Sequence, residues 1–372
     1  MKKILICITK LLVKPLDFIA ILFFRSKHLN AIFSVLCPAI ETKDNYAAYQ
    51  ILPKDTSVIP ILDGLNQSSS FAIVMQGPLC KKDNMTINSI KFYKKAYPLA
   101  KIIVSTWNDE ASEDISAISE LGATVVQSEK TLHSGIMNVN YQLASSLAGV
   151  KKAKELGCEF TVKTRTDQRI CKPFIFDTMI STIKLFPGGE GQKGRLVTLG
   201  VCDGGMFTPY FTCDFLYLGY TEDLVDLFSA PFDNRKDEKT LRGSNLLLTR
   251  RQLAEQETAP EIYILKHYCK DYLKLSGEDT VKEHWNVTKN YLICYGMNDV
   301  KIMWNKYDRL YNLNFYSSAY FNGIDSSKHL RTMCFDFFNW FNLYAGNIKY
   351  DERYEKYADV ALRANNGKEK NT

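Results

Sequence analysis

The sequence of 372 residues predicts an α/β fold in which a mostly parallel sheet carries helices on both faces. Short apolar runs rich in β-branched residues recur between residues 71 and 200. Segments with helical periodicity separate these runs, and glycine or proline marks where most of them end. Parallel strands need a crossover connection of this kind, so the alternation indicates βαβ units. The composition, 46% hydrophobic and 24% charged, is typical of a globular protein.

Five strands are predicted in this region. They are FAIVM (71–75), KIIVS (101–105), ATVVQ (123–127), EFTVKT (159–164) and RLVTLG (195–200). A helix follows the first strand, with Ile87, Ile90 and Tyr93 at helical spacing, and it ends before Pro98. The segments SEDISAISE and NYQLASSLAGVKKAKEL are predicted helices that are each closed by a glycine, the first by Gly122. Glycine readily takes the left-handed conformation that ends a helix.

The pattern changes after residue 200. Residues 201–310 mix glycines, aromatic residues and acids, and they are predicted to be more helical and less regular than the first half. We expect them to form the wall of a cleft opposite the sheet, without necessarily forming a separate domain. The TED at 221–223 is typical of a helix start, and Pro260 with Glu261 begins another helix.

The two ends of the chain are predicted to lie outside this domain. Residues 1–70 form an N-terminal segment and connector whose beginning is apolar and basic. Lys10, Lys14 and Asp17 interrupt it, so no uncharged run reaches the roughly 20 residues of a membrane-spanning helix. An amphipathic segment on a membrane surface and an ordinary packed helix both stay open. Residues 311–372 form an aromatic C-terminal extension with a polar tail.

Charge and short motifs exclude several classes of protein. The net charge of +6 suits anionic substrates or a membrane surface, but no dense basic stripe indicates a nucleic-acid partner. The ten cysteines contain no C-x-x-C pair and are expected to be reduced thiols of a cytosolic protein. The motifs GxGxxG after the first strand, GxxxxGK(S/T), HExxH and GxSxG do not occur. Dinucleotide-dependent dehydrogenases, P-loop enzymes and the corresponding hydrolases are therefore not indicated.

Polar, turn-forming residues follow four predicted strands, at the end of the strand where sheets of this type bind ligands. They are Gln76-Gly77-Pro78, Thr106-Trp107-Asn108-Asp109, Gln127-Ser128 and Thr166-Asp167-Gln168. Asp167 comes directly after a buried strand and lies between Arg165 and Arg169. A carboxylate there can hold a divalent cation, and guanidinium groups can contact phosphates. A structural ion pair at the strand end is the alternative interpretation.

Five segments together resemble the WavE family of lipopolysaccharide-synthesis proteins, which is related to the GT-A glycosyltransferases. They are VMQGPL (74–79), YPLAKIIVSTWNDE (97–110), KTRTDQRI (163–170), CDFLYLGYTEDLVDLF (213–228) and APEIYI (259–264). The resemblance implies a GT-A-like domain over residues 71–310, with a nucleotide-sugar half at 71–200 and an acceptor half at 201–310.

In the GT-A fold an Asp-x-Asp motif and a bound Mn²⁺ or Mg²⁺ grip the donor diphosphate. Asp167 stands at the matching position and is the implied metal ligand, but Gln168 and Arg169 occupy the place of the second acid. This departure leaves metal dependence open. The resemblance assigns further residues to the nucleotide-sugar donor, and they are Gln76, Gly77, Thr106, Asp109, Asn140, Arg165 and Arg169.

The implied reaction transfers a sugar from a nucleotide-sugar donor to a lipopolysaccharide or other surface-glycan acceptor, either lipid-linked or an oligosaccharide. The acceptor hydroxyl needs a general base, and Asp214 and Glu261 are the two candidates. Asp214 is alternatively a structural acid at a strand start, and Glu261 alternatively complements the positive end of a helix.

Two other functions stay open. A sugar nucleotidyltransferase uses a similar sheet, and QGPLCKKDN faintly matches the loop that follows its first strand. A non-catalytic glycan-binding or assembly protein could also use this scaffold, since a fold alone does not establish activity. The protein is expected in the cytoplasm, with peripheral contact to the inner face of the cytoplasmic membrane.

Overall fold

A computed structural model describes residues 71–200, 205–235, 248–304 and 334–361. The predicted N-terminal segment, 1–70, lies outside the described residues, so its membrane-surface interpretation stays a prediction. Within the described residues, no helix is long and apolar enough to cross a membrane.

Nine strands occur in the described part of the chain. They are β1 (Phe71–Gln76), β2 (Lys101–Trp107), β3 (Thr124–Ser128), β4 (Phe160–Arg165), β5 (Gln168–Ile170), β6 (Leu196–Leu199), β7 (Cys213–Tyr220), β8 (Leu292–Tyr295) and β9 (Ile302–Trp304). The α-helices of the same residues are α1 (Met85–Ala96), α2 (Ser112–Glu120), α3 (Val139–Glu155), α4 (Ile175–Leu185), α5 (Thr221–Phe228), α6 (Arg250–Glu255), α7 (Pro260–His267), α8 (Val281–Tyr291), α9 (Met297–Val300), α10 (Phe337–Ala345) and α11 (Glu355–Ala358). Short 3₁₀ turns cover Lys82–Asn84, Ile136–Asn138, Gly205–Phe207 and Glu352–Tyr354, and a π-helical turn covers Tyr268–Tyr272.

Seven strands form one sheet in the order β3-β2-β1-β4-β7-β6-β8. β7 runs antiparallel to both of its neighbours, and the other pairs are parallel. β5 and β9 form a separate antiparallel ribbon. The predicted α/β class with a mostly parallel sheet is confirmed, and all five strands predicted before residue 200 are present within one or two residues of their expected bounds.

Helices cover both faces of this sheet, and alternate residues of β1 show how. Phe71 packs edge-on against Tyr97 and Phe176, and those two rings stack 4.9 Å apart. This aromatic cluster joins β1 to the end of α1 and the start of α4 on one face. Val74 points to the other face, where a Cβ on Gly149 of α3 would lie 2.4 Å from Val74 Cγ1. Helix α3 therefore lies directly on β1, and only glycine allows that approach.

The second half of the domain differs from the expectation in one respect. Residues 213–220 and 292–295 do not form a wall opposite the sheet, because they are β7 and β8 within it. Both strands are almost wholly buried, and a strand that is buried on both faces lacks the alternating pattern that identifies it in a sequence. The predicted helix starts at Thr221 and Pro260 are confirmed as α5 and α7.

Candidate active site

The carboxyl ends of β2, β1 and β4 meet at one edge of the sheet. Gln76 ends β1, and its register partners are Ser105 on β2 and Arg165 on β4. Thr106 and Asp167 follow those partners at or just beyond the ends of their strands. The predicted placement of Gln76, Thr106 and Asp167 along one rim is confirmed, and this is the edge at which open α/β sheets bind ligands.

The turn after β1 is fastened to the end of β4. Gly77 has a φ of +112°, which side-chain-bearing residues rarely adopt, and its N–H donates to the carbonyl of Ser105 (3.0 Å). Thr166 donates from its backbone N–H to the Gln76 carbonyl (3.1 Å) and from Oγ1 to the Pro78 carbonyl (2.5 Å). The backbone of this turn is thereby held at a fixed position on the rim.

Asp167 is held by one cationic neighbour, Arg165, and one aromatic neighbour, Trp304. Arg165 donates from Nε to Asp167 Oδ1 (2.9 Å) and from Nη2 to Oδ2 (3.2 Å). Trp304 donates from its indole Nε1 to the same Oδ2 (3.0 Å), and the Arg165 guanidinium lies 5.4 Å from the Trp304 ring. The Arg165 and Asp167 side chains keep 23% and 15% of their surface exposed. A bidentate pair of this kind is strong, yet it stays within reach of a ligand at the rim.

Arg169 lies in the protein interior. Its side chain is fully buried, with Nη2 3.7 Å from Met85 Sδ and the guanidinium 5.9 Å from the Phe92 ring, both residues of α1. Successive side chains of a strand point to opposite faces, and this alternation in β5 directs Arg169 beneath α1. Of the two arginines expected beside the diphosphate, Arg165 is therefore the one with exposed surface at the rim.

The end of β2 is tied to the turn after β1 through Glu110. Thr106 is buried and donates from Oγ1 to Glu110 Oε1 (3.1 Å), which also accepts the N–H of Leu79 (2.8 Å). Asp109 is exposed and forms an ion pair with Lys130 (2.5 Å), which lowers the pKa of the Asp109 carboxyl. Thr106 thus shapes the rim from within, while Asp109 lies on its surface.

Asn140 holds two loops together. Its Nδ2 donates to the carbonyls of His133 (3.0 Å) and Asp233 (2.7 Å), and its Oδ1 accepts the N–H of Asp233 (2.7 Å). These three hydrogen bonds use both amide protons and the amide oxygen, and the side chain is buried. The geometry is that of a structural link, and Asn140 is not an N-cap, because Asn138 holds that position of α3.

Asp214 is the second residue of β7, which runs antiparallel to β4, so the start of β7 lies at the edge where β4 ends. The residue is 5% exposed, and its carboxyl accepts one strong hydrogen bond, from Gln142 Nε2 of α3 to Oδ2 (2.6 Å). Oδ1 is buried and has no hydrogen-bond partner among the described residues. Lys163 of β4 donates from Nζ to the backbone carbonyl of Asp214 (2.5 Å). Burial lowers the pKa of Lys163 to about 8, and the nearby charge of Asp214 opposes that shift.

Glu261 lies in the first turn of α7, near Asp214 and Lys163. Burial raises the pKa of its carboxyl well above the usual range, and the negative charge of Asp214 raises it further. The charges of Arg165 and Lys163 act in the opposite direction. The carboxyl of Glu261 therefore keeps its proton at neutral pH. Asp214 Oδ1, which has no hydrogen-bond partner among the described residues, belongs to the same cluster.

The structure thus brings Arg165, Asp214 and Glu261 into one electrostatic cluster at the end of β4. Sequence reasoning missed Lys163 and Gln142, which hold this cluster together. Lys163 did carry a signal, since a lysine in the apolar run FTVKT has to be buried or to face a site. Gln142 and Trp304 carried none, because their partners are 72 and 137 residues away in the chain.

A resident Mg²⁺ or Mn²⁺ does not fit Asp167 in this arrangement. Its two oxygens already accept three hydrogen bonds from Arg165 and Trp304. Across the described ranges, no group of three or more His, Cys, Asp or Glu side chains is placed to hold a metal ion. The arrangement instead sets a guanidinium where a cation would be expected, and Arg165 is suited to contact phosphate oxygens.

The sequence profile of the WavE lipopolysaccharide synthesis family matches residues 71–284, which is more than half of the chain. The match begins at the first residue of β1 and extends into α8, and it confirms the resemblance found in the sequence. No curated protein matches the chain in sequence.

Several solved structures are distantly similar to the chain. A cytidylyltransferase from Leptospira borgpetersenii is 11% identical, with 76% of this chain and 95% of that one covered and a TM-score of 0.33. A glucosyl-3-phosphoglycerate synthase from Mycobacterium tuberculosis, solved with Mn²⁺ and uridine diphosphate, is 16% identical, with 62% of this chain and 71% of that one covered and a TM-score of 0.33. A mannosyltransferase from Pyrobaculum calidifontis, solved with GDP-Man and Mn²⁺, is 10% identical, with 81% of this chain and 89% of that one covered and a TM-score of 0.32. Similarities at this level carry no argument about function.

Proposed function

Because the chain belongs to the WavE lipopolysaccharide synthesis family, we propose that it is a glycosyltransferase that moves a sugar from a nucleotide-sugar donor to a lipopolysaccharide or other surface-glycan acceptor. The observation that carries the proposal is the convergence of Asp214 and Glu261 with Arg165 at the rim where Asp167 lies. Such a group offers positive charge to a leaving diphosphate and a carboxylate to an attacking hydroxyl.

The donor lies along the ends of β1, β2 and β4 in this proposal. The nucleoside sits against the turn at Gly77, beside Gln76, whose buried Oε1 has no hydrogen-bond partner in the part of the chain that the structure describes. The diphosphate faces Arg165, which Asp167 and Trp304 hold in a fixed orientation. Fixing the guanidinium in advance is what makes its charge effective, because no reorganisation is needed during the reaction.

The chemical step is a displacement at the anomeric carbon of the donor sugar. The acceptor hydroxyl oxygen bonds to that carbon, and the bond from the carbon to the diphosphate oxygen breaks. The hydroxyl proton passes to Asp214 Oδ1, the oxygen without a hydrogen bond, and the electron pair leaves with the nucleoside diphosphate. Glu261 stays protonated and therefore adds no negative charge beside Asp214.

Hydrolysis of a panel of nucleotide sugars tests the proposal, with the purified full chain and its Asp167→Asn variant. We expect the variant to lose roughly 10²-fold in turnover, because asparagine cannot hold Arg165 in a bidentate pair. Asp351→Asn is a matched control, since Asp351 pairs with Arg353 two residues away on the protein surface. Turnover in EDTA should equal turnover without it, because a resident metal does not fit Asp167.

A large fall in the melting temperature of Asp167→Asn with turnover intact would make Asp167 a structural ion-pair partner. The released product separates the alternative functions. Glycosyl transfer or donor hydrolysis releases a nucleoside diphosphate, whereas a nucleotidyltransferase consumes a nucleoside triphosphate and releases pyrophosphate. Binding of glycans without either product would indicate a non-catalytic assembly protein.

A further inference from the structure

A cavity of about 340 Å³ lies at the same edge of the sheet, beyond the end of β8. Tyr295 ends β8 and lines it, together with residues from the start of α4 and the start of α10. The chain before α10 crosses the end of β6 closely, since a Cβ on Gly200 would lie 2.1 Å from the Phe335 carbonyl oxygen. The cavity is therefore built partly by the C-terminal extension, and its volume is at the lower end of the range for small-ligand sites.

The lining combines aromatic rings with carboxylates. The Tyr295 and Phe337 rings lie 5.0 Å apart, and Phe338 beside them is 73% exposed. Asp299 and Asp336 flank Gly296, where a Cβ would lie 3.0 Å from Asp299 Oδ2 and 3.3 Å from Asp336 Cβ. Each of these carboxylates accepts one backbone N–H, from Gly296 and Asn339 respectively, and a carboxylate has two accepting oxygens.

We propose that this cavity binds one uncharged sugar residue of the acceptor glycan, an inference that rests on the proposed glycosyltransferase function. A sugar ring has an apolar face of C–H groups, which packs on an exposed aromatic side chain such as Phe338, and hydroxyl groups that donate to carboxylates such as Asp299 and Asp336. The cavity matches both features in one place.

The charges of the lining decide between neutral and acidic sugars. Asp299 and Asp336 contribute two negative charges against the one positive charge of Lys172. Like charges brought together in a partly buried site repel, so a uronic acid or phosphorylated sugar is disfavoured there.

The cavity also lies at a usable distance from the rim. Asp167 directly precedes β5, and Lys172 lies two residues after the end of β5. At about 3.3 Å per residue, the distance from Asp167 to Lys172 is roughly 16 Å at most. The ribbon stays paired over this distance, because Cys171 and Lys172 donate to the carbonyls of Lys301 and Val300. This span corresponds to a short oligosaccharide, so a glycan seated in the cavity can extend to the donor.

Saturation-transfer NMR on the full chain tests the inference, with the methyl β-glycosides of glucose, galactose and N-acetylglucosamine and with methyl β-glucuronide as the acidic probe. Phe338→Ala should weaken binding of at least one neutral glycoside by up to about tenfold, the loss expected for one aromatic contact. Phe341→Ala is the matched control, since Phe341 lies on the same helix, is 42% exposed and does not line the cavity. Thr178→Trp, at an exposed position on α4, should abolish binding by filling the cavity.

Neutral glycosides that bind to the wild-type protein and to Phe341→Ala, but weakly to the other two variants, support the inference. No binding to the wild-type protein, equal binding by all variants, or preference for the glucuronide overturns it, even if donor hydrolysis proves the proposed function correct. Conversely, glycoside binding that depends on Phe338, in a protein that hydrolyses no nucleotide sugar, supports the sugar site and refutes the transferase.

Discussion

Replacing Glu261 by glutamine should make the protein more stable and less active at the same time. The Glu261 carboxyl has a raised pKa in the folded protein, chiefly through burial, whereas the unfolded chain has the ordinary value of 4.5. Between these two pKa values the folded protein holds one proton more than the unfolded chain. Its free energy of unfolding therefore falls by about 1.4 kcal/mol for each unit by which the pH rises. Glutamine has no such proton. The advantage of Glu261→Gln should therefore grow by roughly 3 kcal/mol between pH 5 and pH 7, and should vanish near pH 4.

A competing effect has the opposite sign and is smaller. Glu261 lies in the first turn of α7, where an ionised carboxylate gains about 0.3–1 kcal/mol from the helix dipole. That gain requires the charged form, which burial and the neighbouring Asp214 disfavour at neutral pH. The cost of burial therefore determines the sign of the stability change.

Urea unfolding at pH 4, 5, 6 and 7 measures the stability difference, and nucleotide-sugar hydrolysis measures turnover. Glu113→Gln is the control, because Glu113 is also in the first turn of a helix, α2, but is exposed. A Glu261→Gln protein that is less stable than wild type at every pH would refute the assignment of a protonated carboxyl to the half-buried Glu261. Unchanged turnover would remove Glu261 from the site.

Two further outcomes are expected at the same edge. Asp214→Asn should lower turnover by roughly 10²–10⁴-fold, as loss of a general base does. The melting temperature should stay nearly unchanged, because Gln142 can still donate to the asparagine oxygen. Near-normal turnover would reject Asp214 as the base. Alkylation of Cys80 by iodoacetamide, followed by peptide mass spectrometry at a fixed alkaline pH, should slow when UDP-glucose, GDP-mannose or another accepted donor is added. Cys80 is partly exposed, and the pKa of its thiol is raised chiefly by partial burial and in addition by the charge of Asp167, which is near enough to act on it. Equal rates with every donor would place the donor elsewhere.

The first half of the sheet was predictable because local patterns determine it. The apolar runs at 71–75 and 101–105 stop at polar turns, and Gly122 and Gly157 follow α2 and α3 with φ of +73° and +71°, as the closing glycines of predicted helices should. Their order along the chain also brought Gln76 and Asp167 to one rim, since parallel strands with crossovers place their carboxyl ends together.

The second half and the details of the site depend on contacts that no local pattern encodes. β7 joins the sheet in the antiparallel direction, and this reversal is what brings Asp214 to the end of β4. Arg169 and Arg165 look equivalent in the sequence, but strand alternation buries the first beneath α1 and leaves the second at the rim. Asn140 resembles a ligand-binding or capping residue, yet its partners are two loops that the fold brings together.

The cluster around Asp214 destabilises the folded protein, and this destabilisation is itself an argument for function. The pKa of Lys163 falls from 10.5 to about 8, and each tenfold change in proton affinity corresponds to about 1.4 kcal/mol, so holding its charge in the interior costs roughly 3 kcal/mol at any pH below 8. Well-packed apolar residues of similar volume would be neutral or stabilising in its place. A protein that needed only a stable sheet would have no reason to bury Lys163 beside two acids. The proposed transferase would have one, because the same lysine fixes the backbone of Asp214 and its positive charge interacts with that of the proposed proton acceptor.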